Sequence, residues 1–161
     1  MMINEEEKPS FQSSEYIQEL MELHEVAVGF EQLGHKKERG DISEAKYKKK
    51  FRKSFRDIPK AAVIIRESKV YMANKSIESI FKLPAKKMEG MFFSSFIHPK
   101  ERPKVEENYR NRMAGREEAE MVYPTIVLDR KSKSVPVKLQ AAKINYLDKQ
   151  VVFVLLERIK L

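Results

Sequence analysis

The chain contains no cysteine. That removes disulfides, thiolate nucleophiles and every cysteine-based metal site, and it fits a reducing compartment. No uncharged apolar run approaches the roughly 18 residues that a membrane-spanning helix needs, so no membrane insertion is expected. The opening stretch, Met1 to Lys8, carries three glutamates where a secretory signal is basic and then apolar. A cytoplasmic protein is therefore expected. Catalytic signatures are missing as well: there is no phosphate loop, no glycine fingerprint after a strand and no nucleophile elbow. His24, His35 and His98 are dispersed and make no metal-ligand cluster. The sequence offers no catalytic residue and no metal site, and a non-enzymatic protein is expected.

What is present is charge, unevenly placed. Residues 1–34 hold one Lys against eight Glu, residues 35–56 hold ten Lys or Arg against three acids, and the whole chain carries +8. Such asymmetry can steer an acidic partner or pair one helix with another.

Residues 1–13 are polar and aperiodic, and are expected to form a flexible arm. Residues 14–57 read as a helical hairpin. Its first helix, Ser14 to about Leu33, carries a stripe of Ile17, Leu20, Leu23, Ala27, Phe30 and Leu33, with Gly34 as the expected stop. The second helix is expected to be capped by Asp41, with Glu44 completing a capping box. It carries Tyr47, Phe51, Phe55 and Ile58 at spacings of 4, 4 and 3 beneath a basic face. Lys46, Lys48, Lys49, Lys50, Arg52, Lys53 and Arg56 make up that face.

From residue 58 to 161 the period becomes that of strands. Ala61–Ile65 and Val70–Ala73 flank the polar turn Arg66 to Lys69. Short helices carry Ile77, Ile80 and Phe81, and a longer helix over about 99–114 carries Val105, Tyr109 and Met113. Three strands follow, at roughly 118–129, 134–146 and 150–159. Pro124 and Pro136 belong at bulges or outward-facing positions, and a slip in alternation at Pro124 predicts a bulge there. The last strand is apolar on both phases from Val151 to Leu156. One face must meet the core, and the other either the N-terminal helices or another subunit.

Several residues stand in an order and spacing similar to that of the PAS domain family. They are Ala62 to Ile65, Val70 to Asn74, Ile77, Ile80, Phe81, Gly90, and Ile97-His98-Pro99 with Glu101. Asn74 corresponds to the family's frequent asparagine at the start of the first helix. Residues 40–51 also resemble the small helical hairpin of the short C-terminal domain family. The PAS resemblance implies an α+β fold: a five-stranded antiparallel sheet with helices on one face, here preceded by the N-terminal hairpin. It further implies a ligand or cofactor cavity, a sensory or interaction role, and homodimerisation through N-terminal helices. With no effector domain expected after the last strand, a signal would leave through the hairpin or a signalling protein partner.

Cofactor identity narrows by what is missing. Family members that form light-driven flavin adducts use a cysteine, redox flavin members place a tryptophan on the ring, and haem members use a helix histidine. This sequence lacks the first two, and its long helix has no histidine, so haem and flavin are disfavoured. A small apolar ligand remains possible. The candidate lining is Ile65, Met72, Ile80, Phe81, Met88, Phe92, Phe96, Tyr109, Met113, Tyr123, Ile126, Leu128, Leu139 and Val154, residues that serve a filled core equally well. The candidate dimer contacts are the first-helix stripe, Tyr47, Phe51, Phe55, and Val151, Phe153 and Leu155. The basic helix leaves three readings open: a solvated face, an acidic protein partner, or a polyanion, either an anionic membrane surface or nucleic acid, the last making the chain a transcriptional regulator. A ligand-free dimerisation scaffold is the blander outcome.

Overall fold

The computed structural model describes residues 14–159. The expected arm and the last two residues of the expected domain lie outside them. Five strands form one antiparallel sheet in the order β2-β1-β5-β4-β3: β1 (Ala61–Arg66), β2 (Lys69–Ala73), β3 (Val122–Leu128), β4 (Ser134–Tyr146) and β5 (Lys149–Arg158). The doubly apolar β5 takes the centre. Val152, Val154 and Leu156 enter an inner core, while Val151, Phe153 and Leu155 enter an outer one. Alternation of side chains across a strand thus divides six consecutive buried residues between two layers.

Two tight hairpins set the register. Glu67 and Ser68 join β1 to β2 with φ of 51° and 67°, and Leu147 and Asp148 join β4 to β5 with φ of 48° and 64°. Two successive left-handed residues are the geometry that matches strand twist, and here it is made without glycine. Pairing of β1 with β2 then shifts register, from Ile64 opposite Met72 to Ile65 opposite Val70. Tyr71 is the extra residue of this bulge. Its insertion turns both Tyr71 and Met72 to the outer layer, so Met72 is not a wall of the inner core as its alternation with Val70 implied.

The bulge expected at Pro124 is absent. β3 pairs with β4 in continuous register, and Pro124 simply lies exposed on an edge strand, where its missing N–H costs no ladder bond. Tyr123 and Val127 face the inner core, which leaves Ile126 and Leu128 half-buried on the other phase.

On the inner face lie α3 (Glu78–Phe81), α4 (Ala85–Met88) and α5 (Arg102–Met113). Between α4 and α5 the chain straps both sheet edges. Gly90 and Met91 exchange backbone bonds with Val70 at 2.8 and 2.9 Å, and the His98 N–H donates to the Ile126 carbonyl at 2.9 Å. Gly90 has φ of 86°, which its lack of a Cβ permits.

On the outer face lie α1 (Ser14–Glu38) and α2 (Glu44–Arg56). α1 runs through Gly34 and stops at Gly40, whose φ is 79°. The Gly40 N–H donates to Lys37 and the Asp41 N–H to Lys36, closing the helix end; Gly34 offered freedom, but only Gly40 takes the left-handed turn. The cap of α2 is Ser43, whose hydroxyl accepts the Lys46 N–H at 3.1 Å. Asp41 instead accepts the Arg39 Nε–H at 3.1 Å, so the expected box with Glu44 does not form.

Candidate functional site

Inner sheet face, α5 and the strap border a half-open cavity of about 360 Å³. Ile65, Leu139, Ala141, Val152 and Val154 form its floor, and Val105 and Tyr109 of α5 cover it. Phe92, Phe93 and Ser94 of the strap and Ser68 of the first hairpin complete the side. Ala141 sits opposite Val154 in the ladder, and this small residue leaves room where a larger one would fill the floor.

Polar groups gather around α5. The Ser68 N–H donates to the Tyr109 hydroxyl at 3.1 Å, fixing that ring over the cavity. Arg112 lines the wall with only 8% of its surface exposed, and it donates to the Glu120 carbonyl. Burial pulls its guanidinium below the usual range, with the nearby Tyr123 opposing. Burial pushes the Tyr123 phenol up to about 12, against the opposite pull of Arg112 and Asn108. Asn108, one turn before Arg112, accepts the Glu120 N–H at 3.4 Å, and its Nδ2 has no acceptor in hydrogen-bonding geometry. Thr125 Oγ1, on the inward phase of β3, is likewise without a partner among the described residues. Buried polar atoms in this state are uncommon and mark places where a ligand or water completes the bonding.

Of the sequence-derived lining, Ile65, Phe92, Tyr109, Tyr123, Leu139 and Val154 border this cavity. Ile80, Phe81, Met88 and Phe96 are packed in the inner core away from it, and Met113 is half-buried against that core. Met72 belongs to the outer layer, and Ile126 and Leu128 to neither core. Sequence reasoning missed Arg112 and Asn108, because a charged and an amide side chain are assigned to solvent by default. The available signal was their spacing: both lie three or four residues from inward members of the Val105–Tyr109–Met113 stripe.

The residues named as dimer contacts are mostly covered within one chain. Leu23, Phe30, Tyr47, Phe51, Phe55, Val151, Phe153 and Leu155 are all buried in the outer core, with Ala27 and Leu33 packed against it. Phe30 stacks on Phe51 at 4.4 Å, and Phe51 meets Tyr146 at 4.6 Å. The hairpin, rather than a second copy, covers the sheet. Leu20 is half-buried, and Ile17 is exposed at 44%. A chain of ion pairs adds to this docking: Glu22 to Lys60 at 2.7 Å, Lys60 to Glu157 at 3.7 Å, Glu157 to Lys138 at 3.3 Å, and Lys138 to Glu19.

Lys46, Lys48, Lys49, Lys50, Arg52, Lys53 and Arg56 are exposed on α2, and Lys53 pairs with Asp57 at 2.9 Å. The aromatic seam between them is buried, which withdraws it from base stacking. His98 Nδ1 accepts the Lys100 N–H at 3.1 Å and so serves its own turn. Asp129 does the same for Lys131 and Lys133 at 2.8 and 2.9 Å. Among the described residues no group of three or more His, Asp or Glu is placed to hold a metal ion, and no helix is long and apolar enough to cross a membrane.

An antiparallel five-stranded sheet that encloses a cavity beneath short helices and one longer helix defines an α+β fold of the sensory-domain class. The chain belongs to the PAS family: the model for the PAS fold matches residues 49–159. Solved structures agree in fold. A PAS domain from Desulfitobacterium hafniense is 14% identical with a TM-score of 0.57, covering 65% of this chain and 96% of that one. The PAS domain of a LuxR-family transcriptional regulator from Burkholderia thailandensis, solved with ethanol, is 13% identical with a TM-score of 0.53, covering 68% and 96%. A domain of a sensory box sensor histidine kinase/response regulator from Geobacter sulfurreducens is 13% identical with a TM-score of 0.53, covering 67% and 91%. No curated protein matches the chain.

Proposed function

We propose that this chain is a sensory or signalling module that takes a small, largely apolar ligand into the cavity beneath α5. Occupancy would change how the sheet packs against the α1–α2 hairpin. The observation carrying this reading is the cavity itself, about 360 Å³ with mostly apolar walls and a few convergent polar groups. Val152 and Val154 line it, while Val151, Phe153 and Leu155 on the same strand hold the aromatic seam of the hairpin. One strand therefore touches ligand space and hairpin on alternate residues, and a ligand that favours one packing shifts the other.

Native mass spectrometry of the freshly purified full chain tests this. The expected result is a species heavier than the polypeptide, or a rise in melting temperature with members of a small apolar library. Polypeptide mass alone, with no stabilising compound in such a library, would count against the reading. Nucleic-acid binding by α2 is the competing reading. Loss of salt-sensitive DNA or RNA retention on changing Lys48, Lys49 and Lys50 to Glu would favour it.

A further inference from the structure

The cavity is not apolar throughout, and its one deeply buried charge is unbalanced. Arg112 lines the wall at 8% exposure. Its single hydrogen bond among the described residues goes to the Glu120 carbonyl, which satisfies one of five donors and neutralises no charge. None of the salt bridges among the described residues involves it. A buried guanidinium without a carboxylate is costly unless something anionic completes it.

The groups around it point the same way. Asn108, one turn earlier on the same helix, holds its buried Nδ2 beside the Tyr123 hydroxyl without a well-formed hydrogen bond. The Tyr123 hydroxyl lies on the same wall. Lys143, from the next inward position of β4 after Ala141, brings its ammonium beside Gly115, on the neighbouring hollow rather than in the cavity. Of the acids nearby, Glu106 is exposed on the cavity rim beside Arg110, Glu117 is exposed on a neighbouring hollow that Arg112 also borders, and Glu101 and the exposed Glu120 lie close enough to act on the Tyr123 phenol. None of these four carboxylates forms a salt bridge with the guanidinium. The cavity therefore combines an apolar floor with a wall that carries the Arg112 guanidinium and the Tyr123 hydroxyl, and its charged lining of Arg110, Arg112 and Glu106 is net positive.

We infer that the ligand of this cavity is an amphipathic carboxylate, with its apolar body on Ile65, Val152 and Val154 and its acid on Arg112. This rests on the ligand reading above and names the chemistry of what is bound. A planar carboxylate takes two parallel guanidinium donors, a geometry no alcohol reproduces.

The test compares each acid with its primary alcohol in calorimetric titrations of the full wild-type chain. Decanoate against decanol samples a straight chain, and naphthoate against naphthylmethanol samples rings. The acid of at least one pair is expected to bind about tenfold or more tightly, the range of charge-assisted hydrogen bonds. Arg112→Gln should bring that ratio near one while retaining the alcohol, and Arg112→Lys should keep part of the preference. Alcohols binding as tightly as acids would overturn the carboxylate assignment and leave the ligand reading standing. Neither class binding would overturn both. Because the wild-type comparison needs no variant, a folding defect in either substitution does not blunt it.

Discussion

The Asn74 side chain accepts the backbone N–H of Ala62 at 2.9 Å, while its own backbone N–H donates to the Ala62 carbonyl at 3.1 Å. Its Nδ2 reaches back to the carbonyls of Lys60 at 2.8 Å and Ile58 at 3.2 Å. This residue was expected at the start of a helix, and it stands there, but its side chain makes no cap bond. It closes β2 on β1 and ties down the linker from α2. Asn74→Ala leaves a buried N–H and two carbonyls without that partner, so a loss of about 3 kcal/mol is expected in urea denaturation. Asn74→Asp keeps the acceptor but turns a carboxylate oxygen towards those two carbonyls in a buried site, so it should cost at least as much as alanine. A loss under about 1 kcal/mol for the alanine variant would contradict the staple.

Phe51→Ala removes a ring that touches Phe30 and Tyr146 in the outer core. The expected cost is about 3–5 kcal/mol. Because β5 belongs to both cores, hairpin and sheet should still unfold in one transition at a lower midpoint. Two separated transitions, with only helical signal lost in the first, would show that residues 14–57 form an independent unit.

Lys138 lies between two acids: burial pulls its ammonium down, but Glu19 and then Glu157 together outweigh that and hold it above the usual range. Lys138→Met strands the largely buried Glu19 and should cost about 1–3 kcal/mol. Adding Glu19→Leu should restore most of that loss. Strict additivity of the two substitutions would exclude the pair as a clamp on α1.

Alkaline unfolding carries a signature of Tyr123. Its phenol is raised from 10.0 to about 12 in the folded chain, chiefly by burial. The associated stability is complete below the unfolded value and declines as pH rises towards the folded one, by about 3 kcal/mol at most. Tyr123→Phe should flatten this part of the profile. A residual slope is expected from Tyr146, also raised to about 12, first by burial and then by Tyr71. Identical slopes in wild type and variant would refute the assignment.

Sedimentation at micromolar concentration should give a monomer, since the outer sheet face is already covered by the chain's own helices. Among the described side chains, the large apolar ones exposed on α1 are Ile17 and Met21, at 44% and 52%. A stable dimer that dissociates on Ile17→Glu and Met21→Glu would reverse this expectation.

The strands and their turns were legible because apolar alternation and polar breaks are local signals. The two-faced character of β5 was legible too, and it correctly demanded a second layer. The bulge at Tyr71 was not, because Val70, Tyr71 and Met72 are all apolar and no alternation marks which one is extra. Nor was the ion pair between Lys138 and Glu19, which stand 119 residues apart in sequence. Arg112 escaped for a different reason: its burial is decided by the cavity wall, whereas its sequence surroundings, with Arg110 and Arg116 nearby, read as an exposed helix end. Core residues follow pattern, and the polar members of a site follow three-dimensional placement.

The strap between α4 and α5 limits how this protein can recruit others. β2 is met along its free edge by the strap: the Gly90 N–H donates to the Val70 carbonyl, the Met91 carbonyl accepts the Val70 N–H, and the Phe93 N–H donates to the Ser68 carbonyl. On β3 the Ile126 carbonyl is taken by His98, the Pro124 carbonyl by the Lys104 ammonium at 3.2 Å, and Pro124 has no N–H to offer. Strand addition needs a bare ladder, and neither border of this sheet presents one over these residues. Strand addition at these two borders would first have to displace the strap, and substitutions that loosen it should appear as edge-to-edge self-association.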